Sequence, residues 1–323
     1  MTTTIDQRLD PELVPGLTRV IEAGGFDLDN LGATRAALEG VWANIKAEAP
    51  PIEGVEIEER RAPGRDGAPD VPVRLFRPAG RSGPLPALLW MHPGGWVLGN
   101  PDMDHFGVAQ LAKDAGCVAA SVTYRLAPEH PYPAPLEDCY AALEWLVRDA
   151  RALGIDPDRI AVGGGSAGGN LAASLALLAR ERGGPRIAYQ LLIYPALDDT
   201  NVAPASDTVP ENLFWSRDNS AKGWRAYLGG RFGTADVPPT AAPFRARDLS
   251  GLPPAYIAVG ELDMYLDENI EYARRLIAAR VPTELHVYPR VCHAIDAFAP
   301  DAAITRRFLA EQNAALAAAL RGS

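Results

Sequence analysis

The sequence predicts an α/β fold with a mostly parallel central sheet covered by helices on both faces. Three observations predict it. Short apolar runs alternate with helical patterns along most of the chain, a glycine-rich turn joins one such run to a helix, and one aromatic-rich stretch interrupts the rhythm. The chain has 323 residues, 47% hydrophobic and 22% charged, so it can bury a large core without disulfides or metal.

The first fifty residues read as helical, with Leu13, Leu17, Val20 and Ile21 at helix spacing, and Pro50-Pro51 stops them. Two alternating runs, 55–60 and 71–76, predict an antiparallel pair at a sheet edge. The parallel strands are expected at 87–92, 118–124, 160–164, 189–194, 255–260 and 284–289. Helices are expected around 106–115, 136–150, 167–182 and 266–280, with a last one at 301–320. Residues 196–250 carry Phe214, Trp215, Trp224, Tyr227, Phe232 and Phe244 and no clean strand. Together with residues 1–50 this insertion is expected to form a helical cap over a core of residues 51–195 and 251–323.

Charge narrows the function. The formal net charge is −10, which disfavours nucleic acid and anionic membranes as partners. The opening MTTTIDQRLDPEL has neither a basic start nor a long apolar stretch, so no signal peptide is expected, and no apolar run approaches membrane-spanning length. Cys117, Cys139 and Cys292 form no CxxC pair, and reduced thiols in a cytoplasmic protein are expected.

The chemistry concentrates in Gly164-Gly165-Ser166-Ala167-Gly168, between an expected strand and an expected helix. This is the G-x-S-x-G turn in the strand–turn–helix setting that lifts a serine hydroxyl clear of the backbone and puts it at a helix N-terminus. Gly163, Gly165 and Gly168 also spell the dinucleotide fingerprint G-x-G-x-x-G, but the acidic residue that motif needs about 20 positions later is missing. Asp198 and Asp199 come too late. A second loop, His92-Pro93-Gly94-Gly95-Trp96, follows the run ALLWM. Gly94 and Gly95 can offer backbone N–H groups to a developing oxyanion, Ala167 a third, and Pro93 none.

A serine nucleophile needs a histidine. Of five, His92 sits in the oxyanion loop and is expected to brace it, while His105 and His130 are expected to be surface or structural and His286 to point off a strand. His293, in Pro289-Arg290-Val291-Cys292-His293, follows the last strand on the edge where Ser166 emerges. Cys292 beside it reads as a buried small residue. For the acid, Glu261, Asp263, Asp267 and Glu268 all follow the strand AYIAVG. Asp263 lies nearest the strand end, while Asp267 and Glu268 begin a helix and suit its N-terminal dipole. The order Ser166, Asp263, His293 is the α/β-hydrolase order.

Five segments, HPGGW (92–96), TYRLAPEHPYPAP (123–135), GGSAGGN (164–170), GELDMYLDE (260–268) and YPRVCHA (288–294), resemble the bacterial hormone-sensitive-lipase-like carboxylesterases, family IV of the α/β-hydrolases. The resemblance covers nearly the whole chain. It implies Ser166 as nucleophile, Asp263 as acid, His293 as base, and Gly94, Gly95 and Ala167 as oxyanion hole. It also implies hydrolysis of short- to medium-chain carboxylic esters with no cofactor or metal. Lactone or amide hydrolysis uses the same chemistry, and a silent small-ligand receptor of the same fold is the alternative of another class. The expected partner is a small-molecule ester, and the reading allows a homodimer. The chain departs from the family where Pro93 replaces a Gly, where Gly165 replaces an Asp, and where Ala294-Ile295 replaces Gly-Phe.

Overall fold

The computed structural model describes residues 7–200 and 213–321. Its elements in chain order are α1 (Val14–Glu22), α2 (Leu31–Glu48), β1 (Val55–Ala62), β2 (Val71–Pro78), β3 (Leu85–Met91), α3 (His105–Ala115), β4 (Val118–Val122), α4 (Ala134–Arg148), α5 (Ala150–Leu153) and β5 (Ile155–Gly165). There follow α6 (Ala167–Arg182), β6 (Tyr189–Ile193), α7 (Arg217–Leu228), β7 (Ala255–Gly260), α8 (Leu266–Ala278), β8 (Thr283–Tyr288), α9 (Ile295–Phe298) and α10 (Ala303–Leu320). One sheet runs β1-β2-β4-β3-β5-β6-β7-β8. β1 pairs antiparallel with β2 and β2 with β4, and every other neighbouring pair is parallel. The antiparallel edge hairpin and the α/β-hydrolase class match the sequence reading.

Period-two alternation puts the two sheet faces into two cores. On β3, Ala87, Leu89 and Met91 pack with Leu136, Leu143, Leu171 and Leu276 from α4, α6 and α8. Leu88 and Trp90 pack with Val108, Leu111, Phe308 and Leu316 from α3 and α10. Because β3, β6 and the second half of β5 are buried on both faces, they read as continuous runs without polar alternation. β5 begins earlier than its apolar stretch suggests, since Asp156–Arg159, with an ion pair of 2.7 Å between its ends, looks like a turn in sequence. α4 begins before Leu136 because Pro135 is tolerated in a first turn.

The N-terminal region divides. Leu9, Leu13 and Leu17 are buried with Phe298 and Phe308 under the loop that follows β8, and the Asp10 N–H donates to the Arg290 carbonyl at 2.9 Å. Phe26 instead meets the insertion, with ring centroids 5.2 Å from Phe214 and 5.5 Å from Trp215. Within the insertion, Trp224 and Tyr227 on α7 pack on Trp96. Residues 201–212 of the expected cap lie outside the described residues. Among the described residues no helix is long and apolar enough to cross a membrane.

Candidate active site

Parallel strands end on one edge of the sheet, so the loops after β3, β5, β6, β7 and β8 meet there. Ser166 occupies the β5–α6 turn at φ 55° and ψ −117°, a strained conformation held by its surroundings. The turn works because its glycines have no Cβ. At Gly164 a Cβ would lie 2.5 Å from the Met91 carbonyl oxygen, and at Gly168 2.0 Å from it. Backbone is what they would meet, so β3 and α6 can approach only at glycine.

The loops after β7 and β8 are stitched together. Glu261 N–H donates to the Tyr288 carbonyl at 2.8 Å, and Leu262 N–H to the Val291 carbonyl at 2.8 Å. The Arg290 N–H donates to the Glu261 carboxylate at 2.8 Å. Gly260 permits this approach, since a Cβ there would sit 2.2 Å from the Val291 oxygen. The result is a continuous chain of hydrogen bonds. Ser166 Oγ donates to His293 Nε2 at 3.0 Å, and His293 Nδ1 donates to Asp263 Oδ2 at 2.7 Å. The other carboxylate oxygen of Asp263 accepts from the Tyr265 N–H at 3.0 Å. Asp263, His293 and Ser166 are 1%, 4% and 5% exposed, so the chain is shielded from competing water. Tyr194 and Tyr265 meet the imidazole edge-on, at centroid distances of 4.7 and 5.2 Å, and fix its plane.

The three N–H groups expected of an oxyanion hole also stand at this edge. Gly94 and Gly95 adopt φ 122° and 59°, in the range that favours glycine. Their N–H groups have no acceptor among the described residues. Ala167 is the first residue of α6, where the N–H has no intrahelical partner. His92 braces this loop as expected. It is fully buried, donates from Nδ1 to the Pro93 carbonyl at 2.8 Å and stacks on Tyr124 with centroids 4.2 Å apart. Burial pushes its pKa down to about 4, so it is neutral.

The remaining acid candidates separate by what they touch. Glu261 stitches the two loops. Glu268 is buried and accepts from the Leu197 N–H at 2.6 Å, which tethers the start of the insertion, and its burial raises its pKa. Asp267 stays in the first turn of α8. His105 corrects the surface reading: it is 6% exposed, opens α3 and meets Phe76 edge-on, because its helix packs on β2. His130 is exposed and His286 pairs with Glu284 at 2.6 Å. Cys292 is buried and its thiol pKa is raised by desolvation.

The three departures from the family pattern have structural counterparts. Pro93 has no N–H, and its carbonyl accepts from His92 Nδ1. Gly165 lies under the Tyr194 ring, 3.2 Å from where a Cβ would stand. Ala294 sits at φ 57°, a left-handed conformation that glycine adopts without strain.

A cavity of about 570 Å³ opens onto Ser166 and His293. Its apolar wall is Phe26, Leu98, Phe106, Phe214 and Trp215, and Asp104, Tyr194 and Asp296 stand on its polar side. Sequence reasoning missed the last three. Tyr194 was within reach of it, since it directly follows β6 on the same edge.

A serine–histidine–aspartate chain at the carboxyl edge of such a sheet defines a hydrolase of the α/β-hydrolase class. The family model for the alpha/beta hydrolase fold matches residues 88–297. The chain belongs to this family, in its hormone-sensitive-lipase-like branch, and it is a carboxylic ester hydrolase. It is 41% identical over 284 residues to carboxylesterase NlhH of Mycobacterium tuberculosis, covering 84% of this chain and 87% of that one. Esterase LipI of the same organism is 35% identical over 307 residues, covering 93% and 92%. Among solved structures, a bacterial heroin esterase superposes with a TM-score of 0.92 at 42% identity, covering 98% of this chain and 99% of that one.

Proposed function

We propose that the protein is a serine carboxylesterase that works through an acyl-enzyme, with Ser166 as nucleophile, His293 as general base and Asp263 as the acid that orients it. The observation that carries this reading is the hydrogen-bonded chain from Ser166 Oγ through His293 to Asp263. His293 Nε2 takes the serine proton as Oγ attacks the ester carbonyl. The N–H groups of Gly94, Gly95 and Ala167 receive the oxyanion. His293 then passes its proton to the leaving alcohol, and a water activated by the same imidazole releases the acid. Asp263 keeps the proton on Nδ1, leaving Nε2 free to accept. Every step uses side chains and backbone of this chain, without metal or cofactor.

The described parts of residues 1–50 and 196–250 are read as a cap closing one finite pocket. The contacts of Phe26 with Phe214 and Trp215 at the cavity wall support this. Short- to medium-chain acyl esters are the substrate class that a cavity of about 570 Å³ favours. The three unpaired, buried cysteines support a reducing, cytoplasmic setting. The test is hydrolysis of a p-nitrophenyl ester series from acetate to palmitate, with Ser166→Ala as control. kcat/KM should peak before the long chains, and Ser166→Ala should lose about five to six orders of magnitude in kcat. A maximum at palmitate refutes the capped-pocket reading. Activity surviving in Ser166→Ala refutes the nucleophile.

A further inference from the structure

Behind the substrate cavity lies a recess of about 40 Å³. Asp104, Tyr194 and Asp296 line both the recess and the cavity, so the recess adjoins the substrate cavity across these side chains. Gln312, from α10, lines the recess but not the cavity.

The polar groups around the recess are unbalanced. Asp104 Oδ2 accepts from Trp90 Nε1, and Asp296 Oδ1 accepts from the Tyr194 hydroxyl at 2.8 Å. Asp104 Oδ1 and Gln312 Oε1 are buried with no hydrogen-bond partner among the described residues. Gln312 is 6% exposed, so water outside cannot serve it. A buried acceptor without a donor costs roughly 1–3 kcal/mol, more for a charged group. Two such acceptors face one small space beside the second carboxylate. Arg74, whose charge acts on Asp104, is held by Glu59 at 2.5 Å and Asp102 at 2.6 Å and does not line the recess. Among the described residues no group of three or more His, Cys, Asp or Glu side chains is placed to hold a metal ion.

We propose that this recess is a specificity subsite that takes a primary ammonium group carried by the ester substrate, held by Asp104, Asp296 and Gln312. An ammonium brings three N–H donors and no acceptor, which complements three acceptor groups. A trimethylammonium group carries the same charge but no N–H, so it cannot satisfy these acceptors. The ammonium charge suits the wall as well. Burial raises the pKa of both carboxyls, Asp104 to about 7, so the two resist ionising together and a cation between them relieves that repulsion. This inference rests on the esterase reading above.

The test compares ethyl esters of the ω-aminoalkanoic acids, from aminocaproic to aminocaprylic, with alkanoates that carry methyl in place of ammonium. A second arm places the amine on the alcohol, as ω-aminoalkyl acetates against alkyl acetates. Hydrolysis is followed in a pH-stat at pH 8 on the intact protein. In one arm the amine should raise kcat/KM about tenfold to a hundredfold, the range for a charge-assisted hydrogen bond, and that arm assigns the side of the ester. The trimethylammonium analogue should lose the advantage. Asp104→Asn and Gln312→Leu should each bring the ammonium-to-methyl ratio down severalfold, and the ratio does not depend on how much of either variant folds. If neutral esters turn over and neither arm favours the amine, the subsite is refuted and the esterase reading stands. An amine preference unchanged in both variants places the cation elsewhere and also refutes it. If no ester of either kind is hydrolysed, the esterase reading fails and this inference with it.

Discussion

Replacing Asp263 by Asn tests the catalytic reading most sharply, because it changes two atoms' bonding and almost nothing else. In the wild type both carboxylate oxygens accept: Oδ2 from His293 Nδ1 at 2.7 Å and Oδ1 from the Tyr265 N–H at 3.0 Å. Asparagine has one acceptor and one donor in the same shape. If its oxygen keeps the Tyr265 N–H, its NH2 faces Nδ1 and drives the imidazole proton to Nε2, the nitrogen that must accept from Ser166. If the amide turns over, two donors confront each other at Tyr265 in a site 1% exposed. The first arrangement is the cheaper one, and it leaves the fold intact while removing the base. kcat should fall by about 10⁴-fold, as wrong-tautomer variants of such triads do, or ~5 kcal/mol of transition-state stabilisation. KM should change far less. Asp267→Asn is the matched control. It lies in the first turn of α8 and should cost ~0.3–1 kcal/mol of stability through the helix dipole, with kcat unchanged. Steady-state hydrolysis of p-nitrophenyl butyrate and thermal melts of both variants decide the matter. An Asp263→Asn enzyme that keeps a tenth or more of its kcat, or an Asp267→Asn enzyme that loses its kcat, would show the acid to be misassigned.

Three further outcomes are expected. Gly94→Ala puts a methyl 2.3 Å from the Leu98 carbonyl oxygen at φ 122°, so the loop must shift; kcat should drop about 10²- to 10³-fold and the melting temperature should fall as well, and unaltered kcat removes Gly94 from the oxyanion hole. Asp104, facing Asp296 and Arg74, has its carboxyl raised by burial to about 7, above its unfolded value near 3.9. The stability it contributes is present below pH ~4 and lost as pH rises through ~7, so Asp104→Asn should flatten the decline in melting temperature over that window, and parallel wild-type and variant profiles would contradict the shift. Prolonged EDTA treatment should leave ester hydrolysis unchanged, and a loss restored by zinc would contradict a metal-free mechanism.

Much of this site was legible because its chemistry is written in contiguous segments. The turn around Ser166 needs glycine where Met91 crosses it, and a requirement on backbone approach leaves its mark on residue type. His293 and Asp263 were legible through strand order, since apolar runs of β5, β7 and β8 announce which loops end on a common edge. The carboxylate that meets His293 was harder to pick out, with four within eight residues. Distance in sequence cannot distinguish them, because Glu261, Asp263 and Glu268 point to three different neighbours that only packing supplies. Of the two readings of His105, surface or structural, packing decided for the second: polar neighbours in sequence hid a side chain that β2 buries.

By itself, then, the sequence determined the alternation of strands and helices, the elbow, the glycine loop and the serine–aspartate–histidine order, all of which rest on local periodicity and on sterics within a few residues. Tertiary structure alone decided the cavity and its recess. Asp104 precedes α3, Tyr194 follows β6, Asp296 lies in α9 and Gln312 in α10, spread over more than two hundred residues and carrying no shared motif. They meet because α3 and α10 pack side by side on one face of the sheet, where the hydrophobic effect buries Val108, Leu111 and Phe308 without regard to sequence distance, and the polar groups beside them are carried in with it.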